Sequence, residues 1–416
     1  MDFDYIVVGR GLMGSAAAQH LAAAGAYVGL IGPAEPCDNQ GRLDGSCRAA
    51  HSGVFASHYD EGRITRAIDP SHYWALFAQR AIARYRPLEA LSGIFFYGEV
   101  GHLAVGQDHG DSRNYLKALQ QVAKDLGVGV VVLNREALQQ HFPYFRFYEN
   151  AVGVWQPQDA GYISPRAHVL AQTQAVERLG GEIIAQEVMS VRSQDGIVRV
   201  TTTEASYCSR GVIIATGGFT HARSVLPQRL QLTIKAHTVL LAEVNKAHLA
   251  SLQQMPSLIS KPCDPNAHFY LLPPIRYPDG KWYIKIGCSQ TPPISDDLAT
   301  LQAWFKSDGD SAVVDHLKRL LEQTLPDLEF SSYWVDTCVT THTPTGYPYI
   351  DWVTGEGQEV VSQEAARCDR ILTLVGGNGY AGKSADELGW IAAGLVQAGR
   401  WTYDLEAELF KVQYAP

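Results

Sequence analysis

The hydrophobic pattern changes character along the chain. Residues 3–8 (Phe-Asp-Tyr-Ile-Val-Val) form a β-branched and aromatic run with almost no polar alternation, as expected of a strand covered on both faces. The run leads into Gly9-Arg10-Gly11-Leu12-Met13-Gly14. An alanine-rich segment at helical period then covers residues 15–24, and Gly25 stands where a helix ends. Residues 27–31 read as a second buried strand. Strand, glycine turn, helix, strand is the opening of a doubly wound α/β fold.

Further along, residues 70–89 space Trp74, Phe77, Ile82 and Tyr85 near one helical face, and residues 94–105 read as a hairpin-like pair of strands. Residues 112–126 predict a helix and 128–133 a strand, and Asn134 caps a short helix that ends before Pro143. Residues 166–179 predict a helix, 182–203 a pair of strands, and 211–218 a buried strand ending in glycines. Residues 230–244 alternate polar and apolar, the pattern of an antiparallel strand with one covered face. Tyr270, residues 282–287 and residues 333–339 look like its partners, and residues 370–399 read as strand, glycine-rich loop and long helix. The doubly wound material therefore recurs at the start, middle and end of the chain. The expectation is an α/β, Rossmann-type domain from residues 1–89, 154–226 and 336–416. A discontinuous second domain, a large antiparallel sheet with helices, would come from residues 90–153 and 227–335.

Composition narrows the function classes. With 34 basic against 43 acidic residues among 416, and no basic run, the chain lacks the positive field of a nucleic-acid or anionic-membrane binder. No apolar run approaches the ~18 residues of a spanning helix. Seven cysteines (37, 47, 208, 263, 288, 338 and 368) are scattered without a C-x-x-C pair, so free thiols are expected rather than a disulfide framework or a zinc site. The strand at Phe3 leaves no room for a signal peptide, and the expected setting is cytoplasmic.

Gly9-x-Gly11-x-x-Gly14 directly after a buried strand is a dinucleotide-binding signal. Its glycines allow a tight turn, close approach of a pyrophosphate to backbone N–H groups, and close helix packing. The end of the second strand, Leu30-Ile31-Gly32-Pro33, lacks the acidic residue that holds ribose hydroxyls, and Glu35 is the nearest candidate. Two more glycine turns follow far away, at Ala215-Thr216-Gly217-Gly218 and at Gly376-Gly377-Asn378-Gly379-Tyr380-Ala381-Gly382-Lys383. Three such turns suit a long, extended FAD better than a nicotinamide dinucleotide. The alternative is that they are strand-end loops that need glycine for the backbone alone.

The order of these motifs resembles the D-amino-acid oxidase superfamily of FAD enzymes over essentially the whole chain, and within it the group of monomeric sarcosine oxidase and N-methyltryptophan oxidase. The stretch Ser57-His-Tyr-Asp-Glu-Gly-Arg63-Ile-Thr-Arg66 resembles the family's S-x-x-x-x-x-R-x-x-R. That match implies that Arg63 lies near the flavin and that Arg66 pairs with a substrate carboxylate, a role suited to the guanidinium fork. Without the resemblance, the same arginines could be a helix-edge pair balanced by Asp60 and Glu61. Trp282-Tyr-Ile-Lys285-Ile-Gly287 resembles the strand whose lysine assists reaction with oxygen, and Tyr270 matches an active-site tyrosine; a lysine on a solvent edge is the alternative for Lys285. Cys338-Val-Thr-Thr341-His-Thr343-Pro344 resembles the segment whose cysteine bonds covalently to the flavin; otherwise Cys338 is a small buried hydrophobe. Lys383 falls on the second carboxylate-binding residue. Ser289 and Thr340 replace a family histidine and tyrosine, so the substrate contacts must differ there.

The cofactor-binding residues implied are Gly9, Gly11, Gly14, Gly32, Arg63, Val188, Thr216, Gly217, Cys338, Gly376, Gly377, Gly379, Tyr380, Gly382 and Lys383. Lys285, Arg63 and Tyr270 are the catalytic candidates; Arg66, Lys383 and Tyr270 are the substrate-binding ones. Nothing in the histidine and cysteine spacing predicts a metal. The resemblance implies a monomeric FAD-dependent oxidase, with the cofactor attached through Cys338. It would take a primary or secondary (N-methyl or cyclic) amine bearing a carboxylate, with molecular oxygen as the second substrate, and give an imine and hydrogen peroxide. A flavin dehydrogenase passing electrons to a partner, or an FAD-binding module without turnover, would share most of these motifs.

Overall fold

The computed structural model describes residues 1–37, 45–354 and 370–416. Cys368 lies outside them, and the six described cysteines are free. The strand Phe3–Val8 runs parallel between Val28–Ile31 on one side and Ser206–Ile214 on the other. Glu182–Ile184 extends the parallel sheet beyond Val28–Ile31, and Ile371–Val375 extends it beyond Ser206–Ile214. Tyr349–Trp352 pairs antiparallel with Ile371–Val375. On the same side of Ser206–Ile214, the first half of that strand joins a meander with Ile197–Thr202 and Val188–Gln194; Glu182–Ile184 is the opposite edge. Eight strands among the described residues share this sheet.

The register brings the parallel strands to one level. Val8 pairs with both Ile31 and Ile214, so Gly9, Gly32 and Ala215 emerge side by side at the carboxyl ends, where open α/β sheets bind ligands. The alanine-rich segment forms the helix Leu12–Ala23, and its small residues have a packing reason. It lies against the helix Ala381–Ala398 so closely that a Cβ on Gly389 would sit 2.5 Å from Ala16 Cβ.

Nine strands among the described residues build the second sheet. Thr233–Val244 is antiparallel to Phe330–His342 along one side and to Trp282–Cys288 along the other. Phe269–Arg276, Ser257–Lys261, His102–Gln107, Ala151–Gln156 and Val131–Leu133 follow in order. One face is apolar: Leu240, Ala242, Leu271, Ile284 and Ile286 pack with Leu317 and Leu321 of the helix Ser311–Thr324. Residues of the opposite parity face the dinucleotide-type domain, and the period of two therefore decides which side chains can reach a shared site.

Three readings need correction. The expected hairpin at 94–105 is two strands in different sheets: Tyr97–Gly98 pairs with Ala160–Ile163, whereas His102–Gln107 pairs with Ala151–Gln156 and Ser257–Lys261. Gly101, with φ +77°, turns the chain between them. The expected strand pair at 182–203 is three strands. Ala151–Gln156 and Phe330–His342 each run as one strand through the boundaries expected at 153/154 and 335/336, because their hydrogen-bond ladders do not break there. The cap predicted at Asn134 holds in geometry: its side chain accepts the Ala137 N–H. Asp310 caps the helix Ser311–Thr324 by accepting from Ala312 and Val313.

Candidate active site

A cavity of about 420 Å³ runs from the carboxyl ends of the parallel strands to the inner face of the antiparallel sheet. At its first end lie Gly9, Gly11, Gly32, Val188, Thr216 and Gly217. Gly9 has φ +109°, and a Cβ there would collide with Ala215 O at 2.4 Å. A Cβ at Gly11, by contrast, would meet nothing within 4 Å. Protein packing does not demand glycine at Gly11, and the bare backbone there leaves room for a ligand to approach closely. Gly11 caps the helix Leu12–Ala23 without any side-chain hydrogen bond, which leaves its first N–H groups and positive dipole end turned toward an anion. Arg10 Nε and His58 Nδ1 are buried in the lining without a hydrogen-bond partner among the described residues. The uncapped helix end, the glycine cradle and two unsatisfied polar atoms fit the pyrophosphate and polar edges of a dinucleotide.

Gly14 and Gly376, assigned to cofactor binding, lie off the lining. A Cβ on Gly14 would strike Gly9 O, and one on Gly376 would strike Thr343, so both serve loop packing. Gly377, Gly379, Tyr380, Gly382 and Lys383 do line the cavity. Their loop is tied to the strand Phe330–His342: Asn378 N–H donates to Thr341 O at 2.9 Å, and Asn378 Oδ1 accepts the Thr343 N–H at 3.0 Å. Glu35 does not reach the cavity. Arg166 holds both of its oxygens, at 2.7 and 2.9 Å, and removes it from ribose binding.

The middle of the cavity carries Arg63, Cys338 and His237. Arg63 Nη2 lies 3.8 Å from Cys338 Sγ and donates to Ser57 O at 2.9 Å. Its other nitrogen pairs with Asp60, a buried carboxylate that also receives Lys285 and the Tyr277 hydroxyl, the latter at 2.8 Å. Lys285 is 1% exposed, and its Nζ donates to Asp60 and to Gly62 O at 2.9 Å; it stands behind Arg63 rather than on the lining or on a solvent edge. Burial and the adjacent Arg63 push its ammonium well below the ordinary lysine value, against the opposing pull of Cys338 and Asp336. The arginine pair belongs to the strand Arg63–Arg66, not to a helix edge, and Glu61 is engaged by Arg166.

The ladder explains the far wall. Ile259 pairs with Tyr270, and Tyr270 with Gly287, where a Cβ would lie 2.5 Å from the Tyr270 hydroxyl oxygen. Glycine at 287 is what lets that ring lie flat across the strand. Burial raises the Tyr270 phenol above its ordinary value, so it stays protonated. Ser289 is exposed and off the lining, so it does not take the place expected for it there; His237, two residues before Val239, the partner of Gly287, supplies an imidazole to the cavity. Burial, with Arg63, His342, Lys285 and Lys235 nearby, pushes His237 down to about 3, so the ring is neutral at physiological pH.

Arg66 and Lys383 converge at the last end, as expected, but not as free cations. Arg66 Nη1 lies 3.0 Å and Lys383 Nζ 2.7 Å from the same atom, Asp69 Oδ2. Burial pushes Lys383 down to about 7 against the pull of Asp69. Burial alone would raise Asp69, but Lys383 and Arg66 outweigh it and hold the carboxyl low, hence ionised. Asp69 and His237 went unread in the sequence, and Asp60 reads there only as a countercharge to the arginine pair. An acidic residue three positions from each arginine was the available signal for the two aspartates.

The family model described as FAD dependent oxidoreductase (DAO) matches residues 4–395. N-methyl-L-tryptophan oxidase of Yersinia pestis (strain Pestoides F) is 28% identical over 229 residues, 55% of this chain and 56% of that protein, so the match spans little more than half of the relative's length. Among solved structures, NikD, an unusual amino acid oxidase essential for nikkomycin biosynthesis, superposes with a TM-score of 0.76 at 18% identity, covering 100% of this chain and 98% of that one. Glycine oxidase from Geobacillus kaustophilus gives 0.70 at 17% identity over 99% and 98%. L-Proline dehydrogenase from P. horikoshii gives 0.72 at 16% over 99% and 96%. At these identities the structures share the fold.

Proposed function

Because the chain belongs to the FAD dependent oxidoreductase family, whose model spans residues 4–395, we propose that it is an oxidase of a primary or secondary amine whose carbon skeleton carries a carboxylate. The observation that carries this reading is convergence. Three glycine turns, Arg63, Cys338, Tyr270, Arg66 and Lys383, scattered over the sequence, meet around a single cavity. FAD, when bound, supplies the acceptor for the substrate's C–H hydrogen and electrons and the centre that oxygen reoxidises.

The chain's own part is positioning and charge. Gly9, Gly11 and the start of the helix Leu12–Ala23 would hold the pyrophosphate, with Gly32, Val188, Thr216 and Gly217 beside it. Arg66 and Lys383 would orient the acid end of the substrate, and Tyr270 would wall the reacting carbon. The neutral His237 imidazole offers an acceptor to the amine N–H. Cys338, beside Arg63, is the residue proposed to attach the cofactor, and Lys285 with Asp60 keeps a buried ion pair behind it. The oxygen-dependent reaction needs no metal in this scheme; among the described residues no His, Cys, Asp or Glu cluster has the makings of a metal site. No helix among them is long and apolar enough to cross a membrane. A monomeric protein of the cytoplasm remains our working proposal.

The test is FAD-loaded protein screened against free, N-methyl and cyclic amino acids. Oxygen uptake with one peroxide per amine consumed supports the oxidase. Anaerobic flavin bleaching without oxygen uptake assigns a dehydrogenase instead, and no bleaching with any amine rejects both.

A further inference from the structure

The inference rests on the reading of Arg66 and Lys383 as the seat of the substrate's acid group. We infer that Asp69 is a specificity-determining residue that already occupies the anionic side of that seat. The site therefore recognises the substrate's carbonyl end as a hydrogen-bond acceptor and discriminates little between a carboxylate and its uncharged amide or ester.

Asp69 is built in rather than incidental. Its side chain is fully buried (0%), between Arg66 at 7% and Lys383 at 3%. One oxygen takes both cations, at 3.0 and 2.7 Å, and the other accepts the Ser71 N–H at 3.0 Å. The turn that carries it is pinned from outside: Gln156 Oε1 accepts the N–H groups of Ala67 and Ile68, at 3.1 and 3.2 Å. Asp69 thus has no room to swing away when a ligand arrives.

The charge count follows. With Lys383 protonated, below about pH 7, Arg66, Lys383 and Asp69 together carry one net positive charge. The other titratable groups near them are His102, whose ring burial keeps neutral; Tyr115 and Tyr380, whose phenols burial raises and so keeps protonated; and Lys261, which burial lowers and whose ammonium lies over the Tyr115 ring at 4.5 Å. A substrate carboxylate would place a second anion on the same two donors, beside the buried Asp69, where like charges repel strongly. An amide or ester oxygen uses the remaining N–H donors without that penalty.

The experiment titrates the FAD-loaded protein with benzoate and with benzamide, its uncharged isostere, by calorimetry. Below pH 7, where Lys383 keeps its proton, wild type should bind the two within about threefold of each other, and Asp69→Asn should bind benzoate about tenfold more tightly or better with benzamide unchanged. Asp69→Ser, which can still accept the Ser71 N–H, should shift benzoate the same way and covers the case in which the amide variant does not retain FAD. Benzoate bound no more tightly by the variants overturns the inference and makes Asp69 a holder of the two cations. Benzoate ignored by wild type and variants alike overturns it too. Failure of the oxidase reading would appear separately, as amines that consume no oxygen while benzoate still binds.

Discussion

His237 stands directly across from Cys338 on the antiparallel pair Thr233–Val244 and Phe330–His342. Opposed residues share a face, so the imidazole and the thiol look into the same cavity, with Thr340 and His342 following at two-residue steps. Thr340 Oγ1 lies 2.7 Å from His237 Nε2 and 2.8 Å from His342 Nε2. One hydroxyl has one proton, so it donates to one ring and accepts from the other, and the two tautomers are coupled.

Thr340→Val keeps the shape and removes that bridge. Two half-buried ring nitrogens lose their partner, and a loss of about 1–3 kcal/mol in unfolding free energy is expected by urea titration. His237→Phe combined with Thr340→Val should cost less than the sum of the separate changes. Additive losses would show that the rings are not coupled through the hydroxyl.

Cys338 is the proposed point of FAD attachment. Acid-denatured wild type should keep its flavin and gain the cofactor's mass, and Cys338→Ala should release it. Flavin set free quantitatively from wild type would leave Cys338 as a strand thiol whose neighbour at 3.8 Å is an arginine.

Lys285→Met should slow reoxidation by oxygen much more than anaerobic reduction by amine, because the charge it removes lies behind Arg63 and not against the substrate wall. Breaking a buried pair also destabilises, here by up to about 3 kcal/mol, since Asp60 keeps Arg63. Equal slowing of both half-reactions in stopped-flow experiments would mark Lys285 as a purely structural residue.

Benzoate binding should depend on pH through Lys383. In the free site its ammonium titrates at about 7, and a bound carboxylate favours the charged form. Above that pH, binding must take up a proton, so affinity falls by up to about tenfold per unit; below it the charged form already prevails and affinity levels off. Lys383→Met should bind more weakly and flatten the profile above neutrality. A slope that survives in the variant would assign the titration to another group.

By itself the sequence determined the glycine turns, the parallel strand ends and the alternating strands. These depend on backbone sterics and on periods of 3.6 and 2, which are local properties. It also marked Arg63, Arg66, Lys285, Cys338 and Lys383, through motif order. What it could not carry was partnership. Lys383 meets Asp69 across 314 positions and Lys285 meets Asp60 across 225, and whether a cation is free or already neutralised depends on which loop packs beside it. Arg66 and Asp69 are only three apart, yet their contact arises in a turn between strand and helix that has no hydrophobic period to reveal it. His237 likewise entered the cavity through register, set by the ladder with Phe330–His342; a slip of one residue would have turned it into the apolar core. The tertiary structure alone decided that Arg66 and Lys383 share a carboxylate, because burial and charge are properties of neighbours and not of residues.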